Sequence, residues 1–366
     1  MRKFDIAIIG SGAAGAATAY FLRNRQKVDS IVVLEKEETL HSGASGKSAG
    51  IISQLVETEA IAQIAKKSVE FFKNPPKDFC DECFFRKVGG ILSTKLPNDN
   101  RLFNLSSIVK KSGIVYEEID RGEVLNAIPL LEGAPFTRAL YCKEDGVVDA
   151  NLLLSSFLKD IEVLTSKEVE KIDLNAKKIK SITANNEEIE AEIFVFAAGA
   201  YSEKIAKMAG LSHIVLEARR RHLLVSEDIE NINENMPYYW SLDPQIYFRC
   251  ESKGLLMSPC DITATSPEKL QTTPKCQNWL KERLKLAAPK IADIKYKNFW
   301  AELRTFTFDS NFLIGFDPYV SNLFWVTALQ GYGITCSAGV GESASALIAG
   351  DKPDIDLAPH SPSRFK

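Results

Sequence analysis

The sequence predicts an α/β fold with two interleaved domains, and three observations lead to this prediction. An apolar run at residues 4–9, helical spacing over 14–25 and a second apolar run at 30–34 form a strand–helix–strand unit, whose crossover should be right-handed. Residues 215–226 and 245–258 have the pattern of strands in a second, mixed or antiparallel sheet. The length of 366 residues exceeds what one hydrophobic core usually serves.

The other elements follow from the same periodicities and from turn residues. Helices are predicted at 57–73, 98–112, 121–128, 150–159, 277–286 and from about 335 to 349. Strands are predicted at 85–95, 161–164, 193–199, 300–308 and 323–328, and residues 168–192 alternate as a β-meander. The helix at 57–73 ends before Pro75 and Pro76, because proline cannot continue the hydrogen-bond ladder.

The composition is that of an ordinary globular protein, with 45% apolar and 25% charged residues. A net charge of -3 argues against a nucleic-acid or polybasic membrane partner. No apolar run reaches the ~18 residues of a spanning helix, and no signal peptide is recognised, so we expect a cytoplasmic protein. The seven cysteines are odd in number and irregularly spaced, which predicts neither a disulfide framework nor a metal site.

A G-x-G-x-x-G motif formed by Gly10, Gly12 and Gly15 directly follows the first strand and opens the first helix. The first glycine permits a tight turn, the second lets the backbone approach a pyrophosphate, and the third lets the helix pack close to the strand. The helix N-terminus offers N–H groups and a partial positive charge to phosphates. Glu35, at the end of the second strand, is suited to the ribose hydroxyls and would repel a 2′-phosphate. The alternative for Glu35 is an exposed charge at a strand end.

The segment Gly43–Gly50 consists mainly of small and polar residues. Its simplest interpretation is a flexible loop. However, it follows Glu35, where the strand ends should face a cleft, so it can wrap a long cofactor and approach a flat ring. NAD enzymes rarely need such a loop, whereas an FAD lying extended across the fold does. The segment therefore favours FAD.

Four separated stretches resemble the FAD-dependent oxidoreductases of the D-amino-acid oxidase type, which include glycine oxidase, sarcosine oxidase and D-amino-acid dehydrogenases. These stretches are the glycine motif with Glu35, the segment Gly43–Gly50, residues 197–202, and a C-terminal part that contains Arg304 and 331–334. The resemblance implies a Rossmann-type FAD-binding domain made of residues 1–80, 140–210 and 300–366. It implies an inserted substrate domain, built on a mixed or antiparallel sheet, from residues 81–139 and 211–299.

The resemblance also implies the residues that contact a non-covalently bound FAD. They are Gly10, Ser11, Gly12, Ala13, Ala14, Gly15, Glu35, Lys36, Gly43, Ala44, Ser45, Gly46, Lys47, Ser48, Ala49, Gly50, Val169, Ala198, Gly199, Gly331, Tyr332, Gly333, Ile334 and Thr335. The helix that begins near Thr335 would direct its positive end at the pyrimidine edge of the flavin. No cysteine is placed convincingly for a covalent link.

Arg304 is the main candidate for binding a substrate carboxylate, because a guanidinium can grip a carboxylate with two parallel hydrogen bonds. From the residue alone, an arginine in an apolar strand more often points to solvent or forms a structural ion pair; the resemblance implies the ligand role. Tyr247, Tyr332 and Arg221 are further catalytic candidates, and Arg249 is an alternative to Arg221. The four histidines, His41, His213, His222 and His360, are interpreted as structural or exposed.

Within the family, the sequence most resembles bacterial enzymes similar to D-arginine dehydrogenase, through residues 71–76, Phe79-Cys80 and Leu303-Arg304. It differs at Gly50-Ile51-Ile52, where those enzymes have a polar pair, and at Gly89-Gly90, where they have a carboxylate for a cationic side chain. A buried cation without a counter-charge is costly. We therefore expect a neutral or apolar substrate rather than arginine or lysine.

The predicted function is FAD-dependent oxidation of a small amine or amino acid, D configuration being one option, to an imine and then an oxo acid. One alternative is a 2-hydroxy acid or glycerol-3-phosphate dehydrogenase, which Arg219–Arg221 leave open. A second is a tRNA-modifying amine oxidase, against which the net charge argues. A third is a flavin-binding subunit or assembly factor without turnover. The expected partners are a small-molecule substrate and an electron acceptor, which would be oxygen, a quinone or a protein.

Overall fold

The computed structural model describes residues 2–95 and 100–365. Its strands from β1 to β10 are β1 (Arg2–Ile9), β2 (Ile31–Leu34), β3 (Ile51–Ile52), β4 (Phe85–Arg86), β5 (Gly90–Thr94), β6 (Glu117–Ile119), β7 (Arg138–Cys142), β8 (Gly146–Val148), β9 (Glu162–Leu164) and β10 (Val169–Asn175). The strands from β11 to β20 are β11 (Lys178–Ala184), β12 (Glu187–Phe196), β13 (Glu217–Ser226), β14 (Tyr238–Leu242), β15 (Gln245–Glu251), β16 (Gly254–Ser258), β17 (Thr263–Ala264), β18 (Tyr296–Phe306), β19 (Leu313–Phe316) and β20 (Leu323–Thr327).

Seven of the eight α-helices in the described residues lie close to predicted positions, and α6 was not predicted. They are α1 (Ala13–Asn24), α2 (Glu59–Lys73), α3 (Asn100–Lys111), α4 (Arg121–Ala127), α5 (Ala150–Phe157), α6 (Ser202–Met208), α7 (Lys275–Ala287) and α8 (Ser337–Ile348). The prediction began α3 at residue 98, and residues 98 and 99 lie outside the described ranges. Capping explains several of the boundaries. Thr58 accepts a hydrogen bond from the Ile61 N–H at the start of α2, and Asp120 and Glu123 form a capping box at α4.

The first sheet contains five parallel strands in the order β9-β2-β1-β12-β20, with β19 antiparallel to β20. The ten-residue strand β12 pairs with β1 along one edge and with two partners along the other. Its first half pairs with the antiparallel hairpin β10–β11, and its second half pairs with β20. The predicted β-meander at 168–192 is therefore confirmed as a hairpin that continues into a buried parallel strand.

Both faces of the first sheet are buried. On β1, Ile6 and Ile8 face one core and Ala7 and Ile9 face the other, as the two-residue period of a strand requires. Helices α1, α2, α5 and α8 cover the first face. Helix α8 packs closely against α1 at Gly341. A Cβ there would lie 2.5 Å from the Ala17 carbonyl carbon, so the close approach requires glycine.

The second sheet has nine strands, in the order β17-β13-β16-β15-β14-β5-β7-β6, with β18 paired along β13. Only the β14–β5 pair is parallel, so the sheet is mixed, as predicted. A small third sheet, β3-β8-β4, connects the segment after residue 50 to the chain near residue 147. The predicted fold class, α/β with a second, mixed sheet, is confirmed.

The expected domain boundaries at 139/140 and 299/300 both fall inside strands of the second sheet, namely β7 and β18. If the sheets define the domains, these boundaries move to about residues 142 and 306. The physical reason is hydrogen bonding: β7 is held by β5 and β6, and β18 is held along its length by β13. The division into two domains remains a proposal.

Candidate active site

A cavity of about 400 Å³ lies at the carboxyl ends of β1, β2, β12 and β20. Ligands of open parallel sheets bind at this edge. The cavity is lined by these predicted cofactor residues: Gly10, Ser11, Gly12, Ala13, Ala14, Glu35, Lys36, Gly43, Ala44, Ser45, Gly46, Lys47, Val169, Ala198, Gly199 and Gly333. Of the predicted cofactor residues in the first 40 positions, Gly15 alone does not line it.

The glycine turn shows why its residues lack side chains. Gly10 has φ +108°, and a Cβ there would lie 2.6 Å from the Ala197 carbonyl oxygen, so the turn needs glycine. A Cβ on Gly15 would lie 2.0 Å from the Gly10 carbonyl oxygen, so glycine at this position lets α1 pack close to β1. Gly12 is different: its Cβ would meet only the Ser45 side chain, with the hydroxyl 3.1 Å away. An added group at Gly12 therefore takes up space at the cavity without breaking the backbone.

The N-terminus of α1 and Glu35 provide the polar groups of this cavity. The Ala13 N–H donates to the Ser45 Oγ over 3.0 Å. The Ser11 hydroxyl donates to the Glu35 Oε2 over 2.5 Å, and the Glu37 N–H donates to its Oε1 over 3.0 Å. The carboxylate is thus fixed at the end of β2, beside the helix N-terminus.

The segment Gly43–Gly50 is anchored on two sides rather than free. A Cβ on Gly46 would lie 2.0 Å from the His41 carbonyl oxygen, so the chain turns tightly there. From β18, the Trp300 Nε1–H donates to the Lys47 carbonyl over 3.0 Å, and Glu302 forms a 3.1 Å ion pair with the Lys47 ammonium. The strand of the second sheet therefore holds the segment against the first.

A second cavity of about 130 Å³ adjoins the first, and the two share six lining residues. The shared residues are Ala44, Ser45, Glu302, Leu303, Gln330 and Gly333. The second cavity is also lined by the predicted residues Ser48, Ala49, Gly50, Arg221, Tyr247, Arg304, Gly331, Tyr332, Ile334 and Thr335. All four catalytic candidates therefore meet at one cavity next to the predicted cofactor site.

Arg304 projects from β18 into this cavity and is half-buried. Its Nη2 lies 3.4 Å from the Tyr247 hydroxyl, to which it donates. Burial, followed by the charge of the nearby Arg221, lowers the pKa of Arg304. A Cβ on Gly331 would lie 2.7 Å from the Arg304 Nη1, so the missing side chain at Gly331 makes room for the guanidinium.

Arg221 comes from β13 and is 8% exposed. Its Nε donates to the Asp261 carbonyl over 2.7 Å, and its Nη1 is buried without a hydrogen-bond partner. Arg249, the alternative to Arg221, lines neither cavity. It donates to the Ala49 and Cys250 carbonyls and pairs with Glu251, so its role is to support the chain next to Gly50.

Tyr247 and Tyr332 flank the arginines. Tyr247 is 3% exposed, and its ring lies 5.3 Å from the Trp240 ring. The Tyr332 hydroxyl donates to the Glu57 carboxylate over 2.8 Å, and burial, followed by the charge of Glu57, raises the pKa of Tyr332 well above its usual value. Tyr332 therefore remains a neutral phenol whose proton is already engaged.

Several lining residues were not predicted from the sequence. Glu302, Trp240 and Ser53 line the second cavity. Glu302 carried a signal, because it lies two positions before Arg304 on one strand and therefore faces the same side. Trp240 reaches the site only through the register of the β14–β15 hairpin, which places it opposite Tyr247.

Gly89 and Gly90, which the resemblance aligns with a carboxylate for a cationic substrate side chain, line neither cavity. That alignment stays a prediction. A Cβ on Gly90 would lie 2.1 Å from the Tyr238 ring, and one on Gly89 would lie 2.5 Å from the Tyr141 ring. These glycines accommodate buried tyrosines. The charges that a substrate meets are therefore those of the side chains that line the second cavity.

The first cavity fits a flavin dinucleotide on three observations. The N-terminus of α1 opens onto it, Gly12 leaves open the space that a side chain would fill, and Glu35 presents a fixed carboxylate. The adjoining second cavity places the arginines beside one end of such a ligand. The lining of the first cavity includes the ends of β2, β1, β12 and β20, which suits a cofactor that lies extended across the sheet.

Residues 5–347 match the profile of a protein family described as FAD dependent oxidoreductase (DAO). The chain belongs to this family. Its cofactor is therefore FAD, and the predictions of an FAD-dependent oxidoreductase and of membership in the D-amino-acid oxidase type are confirmed. The finer resemblance to D-arginine dehydrogenase stays a prediction.

Curated relatives align over nearly all of the chain at low identity. The chain is 21% identical to 4-methylaminobutanoate oxidase (formaldehyde-forming) of Paenarthrobacter nicotinovorans, over 98% of this chain and 45% of the relative. It is 23% identical to human mitochondrial dimethylglycine dehydrogenase, over 99% and 44%. It is also 23% identical to mouse FAD-dependent oxidoreductase domain-containing protein 1, over 100% and 85%. The chain thus spans less than half of the first two relatives.

Solved structures agree on the fold of this FAD-dependent oxidoreductase. L-proline dehydrogenase from P. horikoshii superposes with a TM-score of 0.90 at 22% identity, covering 100% of this chain and 98% of the other. Glycine oxidase from Geobacillus kaustophilus gives 0.86 at 20% identity, covering 100% and 99%. Within the described residues, no helix is long and apolar enough to cross a membrane.

Proposed function

We propose that this FAD-dependent oxidoreductase oxidises a small amine or amino acid that carries a carboxylate. The observation that carries the proposal is the pair Arg304 and Arg221 in the second cavity. Within residues 2–95 and 100–365, neither guanidinium has a carboxylate within ion-pair distance. Buried charges are normally paired, so two unpaired cations at one cavity point to an anionic ligand.

The two arginines and Tyr247 suit one carboxylate. Arg304 and Arg221 lie on the adjacent strands β18 and β13. In the register of these strands, Arg221 is opposite Glu302, which is two positions from Arg304. Their side chains therefore extend from the same face of the sheet. Tyr247 is within 3.4 Å of Arg304 and would share the bound carboxylate. A carboxylate held by two guanidiniums is fixed in position and in orientation.

The amine part of the proposal draws on the relatives and structural neighbours. The names 4-methylaminobutanoate, dimethylglycine, proline and glycine each describe a molecule with both an amine and a carboxylate. These enzymes share 20–23% identity with this chain. They support the substrate class and leave the individual substrate open.

The chain's own part in the reaction is to bind and orient. Bound FAD would supply the oxidation, by accepting a hydride equivalent from the carbon that carries the amine. The arginines hold the carboxylate so that this carbon faces the cofactor cavity. Their positive charges disfavour an ammonium nearby, which favours the reactive neutral amine. The imine product would hydrolyse in water to an oxo acid and ammonia, or to an oxo acid and a smaller amine.

The same charges limit the side chain of the substrate. Among the described residues that line the second cavity, Glu302 is the one acidic side chain, and it forms an ion pair with Lys47. A substrate with a cationic side chain would meet two guanidiniums and no free counter-charge, which is costly. We therefore propose a substrate with a neutral side chain.

The test is anaerobic bleaching of the visible flavin absorbance by pooled substrates. The pools are D-amino acids, L-amino acids, N-methylated glycines, and a hydroxyl pool of 2-hydroxy acids and glycerol 3-phosphate. The proposal requires that an amine pool bleaches the flavin. It also requires that Arg304→Ala retains its flavin and loses at least tenfold in apparent affinity for the amine substrate. Bleaching by the hydroxyl pool alone would instead assign an alcohol-oxidising function. Reoxidation by oxygen or by a soluble quinone then identifies the class of electron acceptor.

A further inference from the structure

The strand that carries Arg221 has a gap in its hydrogen-bond ladder beside this residue. On one edge of β13, Arg219 and Arg220 pair with β17, and Leu224 and Val225 pair with β16. Between these two short ladders, the chain of residues 258–262 departs from the strand, with Cys260 at φ +52°. The three β13 residues at 221–223 therefore lack strand partners on this edge.

Side-chain bonds from His222 and Asp261 fill the gap. The His222 N–H donates to the Asp261 Oδ1 over 2.8 Å, and the His222 Nδ1 lies 2.8 Å from the Asp261 Oδ2. The Thr273 N–H donates to the His222 Nε2 over 3.1 Å, so Nε2 is an acceptor and Nδ1 carries the proton. The Ser258 hydroxyl adds a bond to the His222 carbonyl over 2.8 Å.

The same loop residue, Asp261, also contacts Arg221. With its side chain fixed by His222, Asp261 presents its backbone carbonyl to the Arg221 Nε over 2.7 Å. His222 is fully buried, on the face of the sheet opposite to the cavity, where its ring lies 5.9 Å from that of Trp279 in α7. The histidine therefore contacts neither cavity and acts only through Arg221.

We propose that His222 and Asp261 are positioning residues, which hold the Arg221 guanidinium in the orientation that binds the substrate carboxylate. The inference rests on the proposed function, because it assumes that Arg221 binds that carboxylate. The bond to Nε leaves both terminal nitrogens of Arg221 for the ligand. An arginine fixed in advance loses less side-chain freedom when the ligand binds.

The variant Asp261→Asn tests the proposal, because the propionate Kd should change in opposite directions if Asp261 positions Arg221 and if it acts only through its charge. The asparagine amide would face the Nδ1–H of His222, donor against donor, so the loop and Arg221 lose their fixed position. We expect the Kd for propionate, read from the flavin difference spectrum, to rise roughly tenfold. If Asp261 acted only through its charge, removing a negative group next to Arg221 would tighten propionate binding.

Histidine variants provide the matched controls. His222→Asn places an amide N–H near the position of Nδ1, keeps the bond to Asp261, and should retain most of the affinity. His222→Leu removes both ring bonds and should match Asp261→Asn. In each variant, KM for the amine substrate should follow the propionate Kd while kcat stays within about twofold, since His222 and Asp261 do not touch the reacting atoms.

Combination with Arg221→Ala completes the test. In that background, Asp261→Asn should cause no further loss of propionate affinity, because both changes remove one interaction. Additive losses would overturn the proposal, and so would an Nε2-protonated His222 in the nitrogen NMR spectrum of the holoprotein with isotope-labelled histidine. If Arg221→Ala leaves the propionate Kd unchanged, this inference fails, whereas the proposed amine oxidation is judged separately by the bleaching experiment.

Discussion

A Cβ on Gly331 would lie 2.7 Å from the Arg304 Nη1 and 2.9 Å from its Cζ. The guanidinium thus occupies space that any other residue at position 331 would take. We predict that Gly331→Ala displaces Arg304 and raises KM for the amine substrate by about tenfold or more, on the order of 1.4 kcal/mol of lost binding. Steady-state kinetics on flavin-saturated enzyme checks this prediction.

The control for this prediction is the double variant with Arg304→Ala. Without the guanidinium, the methyl group has nothing to displace, so Gly331→Ala should add little to the effect of Arg304→Ala. Equal effects of Gly331→Ala in both backgrounds would mean that the methyl group acts elsewhere, for example on the flavin. The flavin-to-protein absorbance ratio of each variant distinguishes that case.

The glycine turn predicts two different outcomes for two neighbouring substitutions. Gly10→Ala places a Cβ 2.6 Å from a carbonyl oxygen at φ +108°, so it should destabilise the fold by about 1–3 kcal/mol. Gly12→Ala meets only the Ser45 side chain, and φ at Gly12 is -68°, so the fold should tolerate it. The added methyl group of Gly12→Ala should instead weaken FAD binding.

These two variants are compared by thermal unfolding and by flavin content after gel filtration. Gly12→Ala should give folded protein depleted in flavin, whose spectrum recovers on addition of excess FAD. Gly10→Ala should show a lowered Tm even at saturating FAD. The opposite assignment, with a stable Gly10→Ala and an unfolded Gly12→Ala, would contradict the geometry of the turn.

The sequence predicted the parts of the site that depend on local pattern. The strand–turn–helix context located Gly10, Gly12 and Glu35, and the structure places all three at one cavity. Local pattern could not place Trp240, because its position depends on the β14–β15 register. Local pattern also could not show what surrounds Gly89 and Gly90, because the tyrosine rings next to them come from β7 and β14.

The histidines illustrate the same limit. From the sequence, His222 was interpreted as structural or exposed, and the structure shows it fully buried. Its partner Asp261 is 39 positions away, and the contact exists only because the β13 ladder is interrupted there. The hydrophobic periodicity of the sequence does not show where strand pairing along β13 is interrupted. The contact between His222 and Asp261 therefore depends on long-range strand pairing, which local sequence pattern does not show.

Flavin attachment gives a simple prediction. Among the residues that line the two cavities no cysteine occurs, and burial raises the pKa of both Cys142 and Cys336. A neutral, buried thiol is a poor nucleophile. We therefore predict that acid precipitation releases all of the yellow colour into the supernatant. Colour that stays with the pellet would show a covalent link and contradict non-covalent binding.

Asp145 leads to a prediction about pH. Its carboxylate is fully buried and accepts bonds from the Tyr238 hydroxyl over 2.7 Å, the Gln54 Nε2 over 3.0 Å and the Gln54 N–H over 3.1 Å. Burial raises the pKa of Asp145 from 3.8 to about 6. The folded protein therefore binds this proton more tightly than the unfolded chain. The resulting stabilisation is fully present below pH 3.8 and is lost as the pH rises through about 6.

Asp145→Asn removes this titration, so comparing it with the native protein isolates the effect. We predict that the native free energy of unfolding, minus that of Asp145→Asn, is about 1.4 kcal/mol larger at pH 5 than at pH 8. Urea unfolding at the two pH values, with saturating FAD, measures this difference. A difference in unfolding free energy that does not change with pH would mean that Asp145 titrates near its ordinary value, since the three donors would then have offset the cost of burying its charge.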